Sequence, residues 1–257
     1  MRVLRRALAL LGLPVLLLAT WWAASAQSTN VYYPPLRTIL RTFRHVWFSD
    51  RLRNDVLPSV LRLLGGYALA AVLGIAIGVL IGESRTVRGV VEPVLEFLRA
   101  IPPPVLVPVL ILLAGIGDTM KVLVITSGCI WPVLLNTAAG VRATDQVLAD
   151  TAECYRVRGP ARLRYLVLPA ASPQIMTGLR QALSIGIILM VISELFAANN
   201  GLGYAVVQFQ RGFDIPEMWS GIFMLGLLGL ALAGLFALAE RWILGWYHGQ
   251  RRASRSR

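Results

Sequence analysis

Charge is scarce in this 257-residue chain. Only 15% of its residues are Asp, Glu, Lys or Arg, where soluble domains carry about a quarter. Acids are the scarcer sign, 13 against 25 basic residues, and lysine occurs once, at Lys121. There is no GxxxxGK[ST] segment, so the chain has no phosphate loop with which to hydrolyse a nucleotide. The two histidines, His45 and His248, stand far apart and outside any HExxH pattern, so no metal site is expected. No GxSxG elbow is present either, and no catalytic residue is assigned. The two cysteines, Cys129 and Cys154, fall in an apolar run and in a charged stretch, which argues against a disulfide framework and makes both thiols bystanders. The net charge of +12 is not read as nucleic-acid binding, because no basic stripe is interleaved with exposed aromatics.

What is abundant is apolar. Hydrophobic residues make up 56% of the chain, and the mean hydropathy is +0.66, which marks a membrane protein. A helix needs roughly 20 apolar residues to cross the hydrocarbon core, and six segments qualify: 7–25, 57–82, 92–116, 120–141, 174–197 and 218–243. With the N terminus in the cytosol, fourteen arginines fall on the inside: Arg2, Arg5, Arg6, Arg85, Arg88, Arg142, Arg156, Arg158, Arg162, Arg164, Arg251, Arg252, Arg255 and Arg257. The outside then receives seven basic residues: Arg37, Arg41, Arg44, Arg51, Arg53, Lys121 and Arg211. That asymmetry puts both termini in the cytosol. The first span has a rival reading as a secretory signal ending at Ala24-Ser25-Ala26, but its apolar run exceeds the usual length of such a signal core, and Trp21-Trp22 suits an interfacial anchor.

Between the first two spans, residues 35–48 put Leu36, Ile39, Leu40, Phe43 and Trp47 on one helical face. The pattern suits a helix lying on the outer membrane surface, and equally a connector packed on the spans; His45 is interfacial in both. Gly74, Gly78 and Gly82 recur every four residues in the second span and predict close approach of a neighbouring helix. In the third span Pro102, Pro103, Pro104 and Pro108 each remove a backbone donor, so the helix must bend or break. A break at membrane depth is tolerated only against protein or a water-filled path, which makes Pro102 and Pro103 candidate pathway residues. Ionisable groups in or near spans are Glu92, Glu96, Arg99, Arg180 and Glu194. Arg99 or Arg180 would attract an anion; alternatively both are structural, with Glu96 three residues before Arg99 as its partner. Met190, Glu194 and Asn199, near the outer end of the fifth span, complete the candidate pathway or gate; Glu194 stands three residues before that end, where water is expected to reach it.

One charged island interrupts the apolar pattern: DTAECYRVRGPARLRYLVLP, residues 150–169. The flanking spans need only a short connector, yet some thirty helix-favouring residues join them. They read either as a short helix presented to a cytosolic partner or as a solvated basic loop. Asp150, Thr151 and Ala152 stand where an EAA triplet would, followed by Glu153, Cys154 and Tyr155, and Leu168-Pro169 close the stretch. This pattern resembles the membrane subunits of binding-protein-dependent ABC importers of the nitrate, sulfonate, taurine and bicarbonate type, whose signature reads roughly EAA, three residues, Gly, about a dozen residues, then Leu-Pro. Segments 59–85, 92–118, 168–183 and 194–206 resemble the same family in order and spacing. Arg156 stands where the family has Gly, with Gly159 three residues later. This departure puts the bend of the segment in doubt, since glycine takes backbone angles that arginine resists.

The resemblance implies an all-α polytopic fold with six transmembrane helices, of the type I ABC importer permease kind, with a cytosolic coupling helix. It implies a division into an N-terminal transmembrane helix (1–28), an extracytoplasmic amphipathic connector (29–56), a permease core of five spans (57–243) containing a coupling region (142–170), and a basic cytosolic tail (244–257). It further implies that this chain binds no cofactor, because ATP is hydrolysed by two separate cytosolic P-loop ATPase subunits. Asp150, Ala152, Glu153, Arg156, Arg158, Gly159, Leu168 and Pro169 would carry the coupling. The implied partners are a second permease subunit, as a homodimer with the pathway between the copies, an extracytoplasmic substrate-binding protein that segment 198–217 would meet, and membrane lipid. The implied location is the bacterial inner membrane. The competing expectation from the residues alone is an autonomous secondary transporter or channel.

Overall fold

The computed structural model describes residues 2–196 and 198–245; for residues 2–11 and Pro14 it describes the backbone path alone. Most of the expected tail, His248 and its four arginines included, therefore lies outside the described residues. Every regular element among the described residues is helical.

Helix α1 (Arg2–Ser25) has 24 residues and so extends about 36 Å at 1.5 Å per residue, enough to span. Among the described residues four stretches are long and apolar enough to cross a membrane, Leu52–Glu83, Asp118–Arg142, Gly159–Phe196 and Ile215–Ile243, while α1 contributes the shorter apolar stretch Val15–Ser25. They contain α3 (Leu57–Glu83), α6 (Asp118–Arg142), α9 (Leu168–Phe196) and α11 (Ile215–Ile243).

The third expected span departs most from a simple rod. It starts at Arg85 rather than at 92 and divides into α4 (Arg85–Arg99) and α5 (Val107–Ala114), bent by 83° across a 3-10 turn at Pro103–Leu106. Three consecutive prolines withdraw the donors that an unbroken helix would use. The chain recovers a turn only when Val105 N–H donates to the Pro102 carbonyl at 3.0 Å. Ser84 supplies the early start: its extended backbone and side-chain oxygen, accepting from Val87 N–H, cap α4.

Helix α6 is the centre of the bundle, packed along α3 on one side and α9 on the other. The expected glycine stripe of α3 is the reason they approach so closely. A Cβ on Gly78 would stand 2.7 Å from the Thr137 Cβ and 2.8 Å from the Leu134 carbonyl oxygen, so the two backbones are in direct contact. The resulting core holds Leu63, Ile125, Cys129, Val133, Ala182 and Met190. This packing brings Gly82, Val141 and the start of α9 together at one end, and the start of α6 and the end of α9 together at the other.

Helix α2 (Leu36–Trp47) proves to be a connector packed on protein. Leu36, Ile39 and Trp47 are buried, and the Trp47 indole N–H donates to Ser220 Oγ of α11 at 3.0 Å. Leu40, expected on the same face, is instead 45% exposed. Trp21 of α1 stacks on Phe223 of α11 at 5.6 Å.

Candidate functional sites at the two ends of the bundle

The charged island forms a helical hairpin. Helix α7 (Gln146–Cys154) begins where Asp145 Oδ1 accepts from Val147 N–H at 2.8 Å and Leu148 N–H at 3.2 Å, a side-chain cap. It ends with two reciprocal bonds: Val157 N–H reaches back to the Ala152 carbonyl at 2.8 Å and Arg156 N–H to that of Glu153 at 2.9 Å. That pairing is the Schellman termination, whose penultimate residue must be left-handed. Arg156 occupies that position with φ +55°. The doubt raised by arginine in place of glycine is answered: the turn is kept, at a cost of roughly 1 kcal/mol of backbone strain.

Gly159, at φ +57° with open space around it, then reverses the chain into α8 (Gly159–Arg162). A π turn at Leu163–Val167 leads on into α9, so that Gly159–Phe196 forms one 38-residue helical stretch. Pro169 follows the π turn inside that stretch, where its ring supplies no N–H to the carbonyls of the preceding turn, and Leu168 packs on Val141, Val167, Ala171 and Ile175. Asp150, Glu153, Arg158 and Arg162 line an open cleft of about 390 Å³ between α7 and α8. Asp150, Glu153, Arg156, Arg158 and Gly159 are exposed and Ala152 half-buried. Among the described residues, one side-chain bond ties this hairpin to another helix: Arg162 to Glu83 at the end of α3, at 2.7 Å.

The opposite end is built differently. Arg62 of α3, 5% exposed, donates through Nε to Asp118 Oδ1 at 2.7 Å and through Nη1 to Glu194 Oε1 at 2.9 Å and to the Asn200 carbonyl at 3.1 Å. Glu194 also accepts from Ser59 Oγ at 2.6 Å and from Gly203 N–H at 2.9 Å. Ser59 Oγ in turn accepts from Leu202 N–H at 2.9 Å, and Asp55 Oδ1 accepts from Gly201 N–H at 3.1 Å. Gly201 has φ +125°, and a Cβ there would lie 2.4 Å from Glu194 Cδ, so only glycine fits. The network welds α3, α6, α9 and α10 (Leu202–Arg211).

The expected pathway residues do not form one site. Arg99 pairs with Glu96 through Nε at 2.8 Å on the exposed face of α4, and Arg180 pairs with Glu240 of α11. Pro102 and Pro103 form the break, with Pro103 abutting α6 at Gly128. Met190 is fully buried in the core. The Glu194 side chain, expected within reach of water, is 0% exposed, because Arg62, Ser59 and Gly203 close around it. Asn199 is exposed and, with Tyr204, Gln208 and Arg211, lines an open cleft of about 500 Å³. Sequence reasoning missed Arg62, Ser59 and Asp118. The available signal was an arginine in the first turns of an otherwise apolar span, which demands a partner.

Residues 70–245 match the family described as the binding-protein-dependent transport system inner membrane component. The taurine transport system permease protein TauC of Escherichia coli (strain K12) is 30% identical over 248 residues, covering 93% of this chain and 90% of its own length. The bicarbonate transport system permease protein CmpB of Synechococcus elongatus is 31% identical over 191 residues, 74% of this chain and 69% of its own. Among solved structures, a chain from inward-facing conformations of the MetNI methionine ABC transporter superimposes with a TM-score of 0.62 at 19% identity, over 75% of this chain and 95% of that one. At that identity the likeness establishes the fold, a type I importer arrangement.

Proposed function

Because this chain belongs to the inner-membrane components of binding-protein-dependent transport systems, we propose that it forms half of the pathway of an ATP-driven importer and receives its driving force through the α7–α8 hairpin. The partners in this reading are two cytosolic P-loop ATPases, a second copy of the chain and an extracytoplasmic binding protein. The setting is the bacterial inner membrane, with both termini cytosolic. The cargo is a small anion of the sulfonate or bicarbonate kind, by analogy with the relatives. The chain holds no cofactor of its own, and its division into anchor, connector, core and tail follows the boundaries 1–28, 29–56, 57–243 and 244–257.

The observation that carries the coupling assignment is the hairpin itself: an exposed, charged, capped helix on the arginine-rich side, continuous with a helix that runs the length of the bundle. Driving a two-state membrane element from mostly one state to mostly the other takes about 5.5 kcal/mol of differential binding. The exposed Arg162–Glu83 pair is worth about 0–1 kcal/mol, far too little to carry that load. The stretch Gly159–Phe196 is the competent element, since its 38 residues form a lever of about 57 Å at 1.5 Å per residue. It joins the hairpin directly to Glu194. An ATPase dimer that grips the hairpin better in one arrangement shifts the rest of the bundle as a rigid body.

The competing secondary-transporter reading needs an ionisable group free to exchange a proton or ion in the spans. The buried pair Arg62 and Glu194 is instead saturated with partners. The experiment is reconstitution in liposomes with the cognate ATPase and binding protein. Uptake should require ATP and cease when the catalytic glutamate of the ATPase is replaced; uptake by the chain alone under an ion gradient would refute the reading.

A further inference from the structure

Helix α9 shows two kinds of exposed surface along its length. Between Gln174 and Ser184 its exposed residues are Gln174, Thr177, Arg180, Gln181 and Ser184, every one of them polar. On α11 the exposed residues between Ile222 and Ala239 are all Gly, Ala, Ile or Leu, the composition of a face turned to lipid. Arg180 is partnered by Glu240 of α11. The other four polar residues of α9 recur at steps of three, four and three, and so form one line about 15 Å long on the helix. Its depth is set by Asn136 of α6, whose Nδ2 donates to Gln181 Oε1 at 3.3 Å. Asn136 stands six residues from Arg142 at the hairpin end of α6, about 9 Å along that helix. The line therefore lies within the span, not beyond it.

Thr177 satisfies its hydroxyl on its own helix, donating to the Pro173 carbonyl at 3.0 Å. The others do not. Among the described residues the side chains of Gln174 and Ser184 have no hydrogen-bond partner, and the N–H donors of Gln181 have none once its oxygen has accepted from Asn136. Carboxamides and hydroxyls turned to acyl chains lose their bonds to water and gain nothing in return, so this face meets water. Farther toward the Glu194 end the same line becomes apolar, with Ile188 59% and Leu195 40% exposed, a surface suited to dry contact between two copies. We propose that the inner half of the α9 face, from Gln174 to Ser184, lines a water-filled passage between two copies of the chain. Gln174, Gln181 and Ser184 there offer neutral hydrogen bonds to a passing oxyanion, with no carboxylate on the line to repel it. The inference rests on the importer reading above and adds to it a wall that the expected pathway residues do not form.

The test is thiol accessibility in the complete transporter, with its ATPase and binding protein, in inside-out membrane vesicles. The background is Cys154→Ser, in which the remaining Cys129 is buried. Gln174→Cys, Gln181→Cys and Ser184→Cys are each treated with 2-sulfonatoethyl methanethiosulfonate, itself a small sulfonate that does not cross lipid, and attachment is read from the mass of the chain. Each should react at least about tenfold faster than Leu230→Cys and Leu235→Cys on α11, because a thiol in apolar surroundings keeps its proton. Reaction no faster than at the α11 positions would overturn the proposal, by giving the face to lipid or to dry contact with the second copy. Ser184→Cys exchanges a single atom, so a folding defect does not stand in for a negative result there. The double variant Gln181→Leu, Ser184→Ala should slow uptake roughly tenfold through lost hydrogen bonds to the solute; uptake at the wild-type rate would remove the oxyanion contact and overturn the proposal as well. Labelling is read without transport, so the two readings part. Reactive positions with uptake driven by an ion gradient alone would sink the importer reading and leave the aqueous wall standing, and inert positions with ATP-driven uptake would do the reverse.

Discussion

The two ends of α9 are held by opposite means. At the Glu194 end, the buried Arg62 side chain binds the side chains of residues 56, 132 and 138 positions away in sequence: the exposed Asp118, the buried Glu194 and the half-buried Asn200. At the hairpin end, almost every bond is local, the charges are exposed, and among the described residues a single ion pair reaches another helix. Buried ion pairs are unforgiving, because removing one partner strands the other in low dielectric; exposed ones give little when made or broken. One end is thus a fixed anchor among four helices. The other is a stiff, weakly tethered projection, which is what a handle for another protein requires.

Breaking the anchor should produce the largest effect. Arg62→Met strands the Glu194 carboxylate and should cost about 3–5 kcal/mol, read as a lower thermal midpoint of the detergent-solubilised protein. Adding Glu194→Leu should recover a large part of that loss, because a buried pair replaced by apolar groups of similar volume is often neutral. Gly201→Ala should cost about 1–3 kcal/mol through overpacking against Glu194 and the unfavourable φ, in the same assay. On the hairpin side, Arg156→Gly should stabilise the end of α7 by about 1 kcal/mol, seen as slower exchange of the backbone amide of Val157, which bonds the Ala152 carbonyl. Smallest of all, Glu83→Gln removes an exposed pair and should move the midpoint by no more than about 1 kcal/mol. A larger loss there than for Arg62→Met would reverse the comparison.

This contrast also explains what was legible in the sequence. The hairpin is a local object: Asp150 to Ala152, Arg156, Gly159 and Leu168-Pro169 lie within one short segment, and their order announces it. The glycine stripe of α3 was equally readable, since its period belongs to one helix. The anchor was not, because nothing near Arg62 points to Glu194 or Asn200, and only the folded bundle brings them together. The early start of α4 escaped for a different reason. Arg85 and Arg88 read as loop residues bounding a span, whereas the Ser84 cap and the proline break moved the helix towards its polar side. Glu194 was placed near water by counting residues to the span end, a count blind to α10 folding back over it.

The native thiols offer the most direct test of the account's central claim, that a partner grips the hairpin. Cys154, the last residue of α7, is exposed, and Cys129 is buried in the core. A bulky maleimide should therefore attach at Cys154 alone and abolish co-elution of the cognate ATPase, while a Cys154→Ser protein treated identically should keep it. Full retention of the ATPase by the modified chain would contradict the account.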